Sequence, residues 1–245
     1  MSSIYESEKL LAEYLLFHYG AADEILPPGR NWPAGMAAAL DFPSRTVAHF
    51  AARRVARGLD LGCAVGRSSF EMARTCDEVV GIDFSHAFIR AAEALRAGES
   101  LDYHRLEEGA QRSELTARLC ADTCRSGVRF CQGDAMHLPA DLGNFDRVHA
   151  ANLLCRLTEP QLLLKRLPSL VRAGGQLVLA TPCTWLEEFT PPAHWPQAGT
   201  LAWLKDSLES TFVLEREVEE SFLIRETARK FQWSSALVTV WTRKD

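Results

Sequence analysis

The fold is decided by Leu59-Asp60-Leu61-Gly62-Cys63-Ala64-Val65-Gly66-Arg67-Ser68. Residues 57–61 predict a short strand, residues 68–75 predict a helix, and a glycine-containing turn joins them. Because glycine lets a backbone approach a ligand closely, and helix N-termini offer free N–H groups, this arrangement is typical of a cradle for a nucleotide-like ligand. The turn departs from the dinucleotide pattern G-x-G-x-x-G, since Ala64 and Arg67 replace its second and third glycines.

Acids stand at the ends of two further predicted strands. Residues 78–83 end in Asp83, and residues 128–131 are followed by Asp134. An acid at the end of the second strand can accept hydrogen bonds from both ribose hydroxyls. The other predicted strands are 147–151, 176–180, 212–217 and 236–241. Because predicted helices alternate with these strands, we expect an α/β fold with a mostly parallel, doubly wound sheet.

The turn and the two strand-end acids resemble the S-adenosylmethionine-dependent methyltransferases of the Rossmann-like class. The resemblance implies a seven-stranded sheet with an antiparallel last strand and helices on both faces. It also implies S-adenosylmethionine as cofactor and S-adenosylhomocysteine as product, with the methionine part at the turn, the ribose on Asp83 and the adenine amine on Asp134. The cofactor-binding residues that we expect are Asp60, Gly62, Cys63, Ala64, Gly66, Asp83, Phe84, Asp134, Ala135 and Asn152.

The chain is expected to form a single domain over residues 1–245, with an N-terminal helical extension (1–55) and a Rossmann-like core (56–245). The extension contains a predicted amphipathic helix (4–18), a Pro/Gly-rich loop and a second helix (43–53). It could be a lid over the cofactor or a plain packing extension, and the sequence leaves both open. Within the core, an insertion (98–127) is expected to contain a helix at 112–121.

Composition excludes several classes of protein. Hydrophobic residues make up 47% and charged residues 24%, which is ordinary for a soluble domain. The net charge of −5 argues against a nucleic-acid partner. No apolar run is long enough to span a membrane and no signal peptide is evident, so we expect a cytoplasmic protein. The 7 cysteines are scattered without a C-x-x-C pair, which predicts reduced thiols and no metal site.

The methyl acceptor should contact the loops that follow the fourth and fifth core strands and the link before the last strand. If that link (219–233) is helical, Arg225 and Arg229 share a face suited to a carboxylate. No catalytic residue is certain, and positioning roles are expected for Asn152, Tyr14 and Glu226. The expected substrate-binding residues are Tyr14, Arg45, Trp185, Arg225, Glu226, Arg229 and Trp233.

A closer resemblance extends over nearly the whole chain. Segments such as LDLGCAVGRSSFE (59–71), VVGIDFSHAFI (79–89), AANLLCRL (150–157) and FLIRETARKFQW (222–233) are similar to the methyltransferase portion of ovothiol-biosynthesis enzymes. That resemblance implies N-methylation of the imidazole of 5-thiohistidine (4-mercaptohistidine). In that family the domain commonly follows an iron-dependent sulfoxide synthase. No H-x-x-x-H pair stands in this sequence, so we expect a stand-alone methyltransferase with a separate synthase as pathway partner.

Other functions stay open at the level of sequence. The acceptor could be another small amine, thiol or hydroxyl compound. The protein could also be a cofactor-binding subunit without catalysis. A nicotinamide dehydrogenase is disfavoured by Ala64 in the turn.

Overall fold

The computed structural model describes residues 3–245, with side chains from Tyr5 onward. Residues 1–2 of the expected extension lie outside the described residues. The helices are α1 (Glu8–Tyr19), α2 (Ala22–Ile25), α3 (Phe42–Val47), α4 (Arg67–Met72), α5 (His86–Ala97), α6 (Pro160–Leu170) and α7 (Thr200–Leu208). The strands are β1 (Val55–Leu61), β2 (Cys76–Asp83), β3 (Leu101–Glu108), β4 (Gln111–Ala117), β5 (Val128–Gln132), β6 (Phe145–Ala151), β7 (Val171–Thr181), β8 (Phe212–Arg225) and β9 (Phe231–Arg243).

A seven-stranded sheet in the order β5-β2-β1-β6-β7-β9-β8 forms the centre of the fold. Strands β5, β2, β1, β6 and β7 are parallel neighbours, whereas β9 runs antiparallel to both β7 and β8. This confirms the expected mostly parallel sheet with an antiparallel last strand. The chain reverses its direction of winding between β1 and β6, and ligands of open α/β sheets bind at the carboxyl ends of strands next to such a reversal.

Alternating side chains of the strands fill two separate cores. Along β7, Val178 and Ala180 join one core with apolar residues of α1, α3, α4 and α5, while Leu177 and Leu179 join the other with α6 and α7. Because successive strand residues point to opposite faces, this division places helices on both faces of the sheet. The helical coverage that the resemblance implied is therefore present.

The insertion between α5 and β5 forms a β-hairpin, so the helix predicted at 112–121 was wrong. Strand β4 pairs antiparallel with β3 and accounts for most of that segment. The turn is made at Gly109, whose φ of +58° is easily adopted only by glycine. Backbone pairing with β3 satisfies the segment's polar groups, and Thr116 Oγ1 adds a 2.8 Å hydrogen bond to Asp102 across the pair.

The last two strands are much longer than predicted, with 14 residues in β8 and 13 in β9. Only residues 226–230 remain as the loop between them, and Arg225 lies opposite Phe231 in the pairing. The prediction that this link is helical is therefore wrong, and Arg225 and Arg229 do not share a helical face. Strand β8 nevertheless runs parallel to β7, because both are antiparallel to β9.

The N-terminal segment is attached to the core at both ends of α1. Before α1, the Glu6 carboxylate accepts hydrogen bonds from the first N–H groups of α5, at 2.8 Å from His86 and 3.2 Å from Ala87. At its other end, Tyr19 Oη donates a 2.7 Å hydrogen bond to the carbonyl of Val65, in the turn after β1. The helix therefore spans from the start of α5 to that turn. Within residues 3–245, no helix is long and apolar enough to cross a membrane.

Candidate functional site

A cavity lies at the carboxyl ends of β1, β2 and β6, beneath α1. Most of the expected cofactor-binding residues are in its wall, namely Asp60, Gly62, Cys63, Ala64, Asp83, Phe84, Ala135 and Asn152. Gly66 packs behind the wall, where an added Cβ would lie 2.6 Å from Phe130 Cζ. These residues lie close together because β2, β1 and β6 are neighbouring parallel strands whose carboxyl ends meet at one edge of the sheet.

The turn after β1 holds an unusual backbone conformation. Gly62 has a φ of +69°, and a Cβ there would lie 3.1 Å from Leu153 Cδ1. Ala64 also has a positive φ, +48°, which is disfavoured for a residue with a side chain. Its N–H donates a 2.9 Å hydrogen bond to Asp83 Oδ2, which stabilises that conformation. A turn strained in this way is common at ligand-binding sites.

Asp83 is poised to bind a hydroxyl-bearing ligand. Its second oxygen, Oδ1, accepts a 2.9 Å hydrogen bond from the N–H of Ser85. Removal of the carboxyl group from water raises its pKa to about 6. An ionised carboxylate offers about four acceptor positions, so the two backbone donors leave capacity for the two hydroxyls of a ribose.

The carboxylate of Asp134 has two partners within its own loop. Its Oδ1 accepts a 2.9 Å hydrogen bond from the N–H of Met136, and its Oδ2 lies 3.0 Å from His137 Nδ1. The carboxylate therefore caps its own loop and lies outside the cavity wall, although its neighbours Gly133 and Ala135 line it.

The floor of the cavity is a buried polar network. Asp60 Oδ1 lies 2.8 Å from His149 Nδ1, and Asp60 Oδ2 accepts a 2.6 Å hydrogen bond from Ser69 Oγ. The other ring nitrogen, Nε2, lies 3.1 Å from Thr46 Oγ1. Both Asp60 oxygens thus have protein partners, and the network joins β1 and β6 to α3 and α4. These contacts favour a structural role for His149.

The roof of the cavity comes from the N-terminal segment. Tyr5, Tyr14 and His18 line it, with the ring of Tyr14 centred 4.8 Å from that of Phe88 and 5.8 Å from that of His18. Sequence reasoning found Tyr14 but not His18, because a histidine on the apolar side of an amphipathic helix gives no distinct signal. The extension therefore contributes to the site directly.

His18 lines the cavity and has an unpartnered polar atom. The residue is only 8% exposed, and its Nδ1 has no hydrogen-bond partner among residues 3–245. Burial, reinforced by the nearby charge of Arg67, lowers the pKa of His18 to about 3, so the ring is neutral at physiological pH. Asn152, whose φ is +54°, likewise has a buried Oδ1 without a partner in the described chain. Two such atoms in one wall indicate a polar ligand.

The structure places Arg225 and Arg229 away from this cavity. Arg225 is 4% exposed, and its Nη2 forms a 2.7 Å ion pair with Glu107 on β3. Its Nη1 donates 3.1 Å hydrogen bonds to the carbonyls of Glu24 and Ile25. Arg225 therefore ties the β3–β4 hairpin and α2 to β8. Arg229 is exposed in the loop between β8 and β9.

Four other expected substrate-binding residues also lie outside the cavity wall. Arg45 pairs with Glu220 and donates to the Ser221 carbonyl. Trp185 donates a 3.0 Å hydrogen bond to Thr200 Oγ1. Glu226 forms a 2.6 Å ion pair with Lys230, and Trp233 is 55% exposed on β9. Tyr14 is thus the expected substrate-binding residue that reaches the cavity, while Tyr5 and Arg156, which were not predicted, line it as well.

Comparison with known proteins agrees with this geometry. Residues 59–179 match the family described as "Methyltransferase domain". Demethylmenaquinone methyltransferase from Thermobifida fusca (strain YX) is 26% identical over 163 residues, 66% of this chain and 55% of the relative. Ubiquinone biosynthesis O-methyltransferase from Xanthomonas euvesicatoria pv. vesicatoria (strain 85-10) is 27% identical over 128 residues, 51% of this chain and 43% of the relative. The chain thus spans about half the length of these curated relatives.

A solved structure matches almost the whole fold. The N-methyltransferase NodS from Bradyrhizobium japonicum WM9, in complex with S-adenosylhomocysteine, superimposes with a TM-score of 0.58 at 13% identity. The match covers 96% of this chain and 99% of NodS, so it includes the N-terminal segment as well as the core. Together with the matched family and the strand order, it shows that this chain carries a class I S-adenosylmethionine-dependent methyltransferase domain.

Proposed function

We propose that this protein transfers a methyl group from S-adenosylmethionine to an imidazole nitrogen of 5-thiohistidine. The observation that carries the proposal is the wall of the cavity, where a cofactor cradle adjoins aromatic rings of the N-terminal segment and neither of the two histidines is suited to act as a general base. The resemblance to the ovothiol-biosynthesis methyltransferases supports the choice of acceptor.

The cradle suits the cofactor at several independent points. Asp83 has spare acceptor capacity for the ribose. Gly62 has no side chain at a place where a Cβ would crowd Leu153. The unpartnered Nδ1 of His18 and Oδ1 of Asn152 offer hydrogen bonds to polar groups of the methionine part. When bound, S-adenosylmethionine supplies an electrophilic methyl group on a sulfonium sulfur.

The acid–base character of the wall favours an acceptor that already carries a lone pair. His18, with a pKa of about 3, is too weak a base to deprotonate a hydroxyl group. His149 is held between Asp60 and Thr46. A neutral imidazole nitrogen needs no base, and the protein's task is then to align donor and acceptor, which can supply about 7–11 kcal/mol in favourable cases.

Aromatic side chains give the acceptor a flat apolar surface. Tyr5 and Tyr14 both pack on Phe88, with ring centres 6.0 Å and 4.8 Å from it. A planar imidazole fits against such rings by offset stacking or edge contact. A thiolate on the ring enriches the nitrogen in electrons, and a pocket that pairs with that sulfur rejects histidine by leaving its own polar group unmatched.

The test is an acceptor screen with purified protein, read by mass spectrometry, in which histidine, 5-thiohistidine and ergothioneine are offered together with S-adenosylmethionine. We expect a single methyl addition on 5-thiohistidine at a rate well above that on histidine. Equal rates of methylation of histidine and 5-thiohistidine would contradict a pocket that recognises the sulfur. Methylation of a different amine, thiol or hydroxyl compound alone would favour the broader small-molecule function.

A cofactor-binding subunit without catalysis is the second candidate. In that case titration calorimetry would show binding of S-adenosylmethionine, but no acceptor would be methylated unless a partner protein is added. The proposed function also requires a reaction that supplies thiohistidine, and a separate iron-dependent sulfoxide synthase is the pathway partner that we propose.

A further inference from the structure

A single positively charged side chain, Arg156, stands in the described wall of the cavity. It ends the short 3₁₀ turn that follows β6, at the edge of the sheet where acceptors are expected. The arginines that sequence reasoning proposed for the acceptor all have carboxylate partners or lie elsewhere. Arg156 is therefore the cation that a ligand in this cavity would meet.

The hydrogen bonds that hold Arg156 are few and long. Its Nη1 donates to the carbonyls of Cys155 and Thr184 at 3.4 Å and 3.5 Å, at the limit of a hydrogen bond. Its guanidinium lies over the ring of Phe189, 4.5 Å from the ring centre. No ion pair within residues 3–245 includes Arg156, whereas Arg225 and Arg45 are each paired with a glutamate. A guanidinium has five N–H donors in a planar fork, so this one keeps donors for a ligand.

We infer that Arg156 binds a carboxylate of the methyl acceptor, with the Tyr5 hydroxyl beside it. Tyr5 belongs to the N-terminal segment and lies against Phe189, the ring that Arg156 also covers, with the two ring centres 6.5 Å apart. Burial raises the pKa of Tyr5 although the charge of Arg156 opposes the rise, so the phenol stays protonated and can donate a hydrogen bond. The inference rests on the proposed function and extends it, because it assigns the residue that binds the α-carboxylate of the substrate.

The competing explanation is that Arg156 only clamps the loops after β6 and β7 through Phe189 and Thr184. A clamp would affect every acceptor equally, whereas a carboxylate ligand affects only acceptors that carry the acid. Matched acceptor pairs, each with and without the carboxylate, separate the two. The panel contains 5-thiohistidine and its decarboxylated amine, histidine and histamine, and phenolic and indole acids with their decarboxylated counterparts.

The experiment compares wild-type protein with Arg156→Gln, Arg156→Lys and Tyr5→Phe, and uses Arg229→Gln as the control for loss of an exposed positive charge. For wild type we expect kcat/KM to be higher for the acid of each methylated pair. Arg156→Gln should lower kcat/KM for the acid about 30-fold or more, mainly through KM, and leave the decarboxylated partner nearly unchanged. Arg156→Lys should recover part of the loss, Tyr5→Phe should show a smaller loss of the same kind, and binding of S-adenosylmethionine should not change in any variant.

The outcomes distinguish this inference from the proposed function. If another acid is methylated in an Arg156-dependent way while 5-thiohistidine is not, the thiohistidine function fails and the carboxylate assignment stands. Equal loss for both members of a pair overturns the assignment and identifies a clamp. If no member is methylated, calorimetry on protein saturated with S-adenosylhomocysteine decides the matter, because failure of every acid to bind in an Arg156-dependent way also overturns it.

Discussion

The backbone N–H of Ala64 lies 2.9 Å from Asp83 Oδ2, so the acid that ends β2 holds the turn that follows β1 in its left-handed conformation. The same carboxylate is the expected ribose acceptor. Because one group serves both purposes, cofactor affinity and the shape of the turn should respond together to its charge. We therefore expect the pH dependence of cofactor affinity to follow the ionisation of Asp83.

Cofactor affinity should fall as the pH decreases through about 6. Burial raises the pKa of Asp83 to about 6, and the ionised form is the better acceptor for ribose hydroxyls. If only the ionised form binds, Kd should increase about tenfold for each pH unit below that pKa. Titration calorimetry between pH 5 and 8 with S-adenosylhomocysteine measures this. In Asp83→Asn the affinity should be lower by about 2–4 kcal/mol and independent of pH, whereas an unchanged pH profile in this variant would contradict the assignment.

Gly62→Ala should weaken cofactor binding by more than a strained backbone alone explains. The new Cβ would lie 3.1 Å from Leu153 Cδ1 in the wall of the cavity, at a residue whose φ is +69°. Gly109→Ala is the matched control, since Gly109 also has a positive φ but has open space around it. Both variants should lose about 1–2 kcal/mol of stability, measured by urea unfolding. Only Gly62→Ala should lose cofactor affinity. If Gly62→Ala and Gly109→Ala bind the cofactor equally well, this turn is not part of the cofactor site.

His18→Phe should reduce cofactor affinity without unfolding the protein. Phenylalanine keeps the ring contacts with Tyr14 and Phe17 but lacks the unpartnered Nδ1. Loss of one neutral hydrogen bond predicts a reduction of about 1 kcal/mol. Since the pKa of His18 is about 3, the reduction should be the same from pH 5 to pH 8, and the inflection from Asp83 should remain. A rise in affinity would show that Nδ1 does not meet the ligand.

Arg225→Gln should destabilise the fold while leaving acceptor recognition intact. The buried Arg225 guanidinium joins Glu107 to the carbonyls of Glu24 and Ile25. Arg105 also contacts Glu107 and the Glu24 carbonyl, so loss of Arg225 leaves the Ile25 carbonyl without its side-chain donor and removes one of two arginines from Glu107. We expect a decrease of about 2 kcal/mol in the free energy of unfolding. Arg229→Gln, in the exposed loop, should have almost no effect. If Arg225→Gln instead raises KM for the acceptor in a protein of normal stability, the original carboxylate assignment would regain support.

The cofactor half of the site could be read from the sequence because its residues follow strand ends at fixed positions in one βα unit after another. Asp83 and Gly62 are of this kind. Asp134 has a local partner in the N–H of Met136, which spacing along the sequence does not reveal, and its contact with the adenine amine stays a prediction. Local hydrogen bonding competes with ligand binding wherever an acid begins a turn.

The acceptor half could not be predicted in the same way, since its residues come from separate parts of the chain. Tyr5 and Arg156 line one cavity because Glu6, Tyr5 and Ser85 hold the N-terminal segment against the start of α5. Arg225 looked free because its partner, Glu107, belongs to a hairpin that was predicted to be partly helical. An arginine is assigned to a ligand or to the fold by its tertiary neighbours, and those depend on pairings that the local sequence does not encode.

Attachment of α1 at both ends has a kinetic consequence. Tyr14 and His18 form the roof of the cavity, so a ligand beneath them should exchange with solvent faster when the Glu6 contacts with α5 or the contact of Tyr19 with Val65 open. We therefore expect departure of S-adenosylhomocysteine, rather than bond formation, to limit turnover, as is common for enzymes with mobile covers. Steady-state turnover should then slow as solvent viscosity increases, and Glu6→Gln, which weakens one attachment, should turn over faster at saturating substrate.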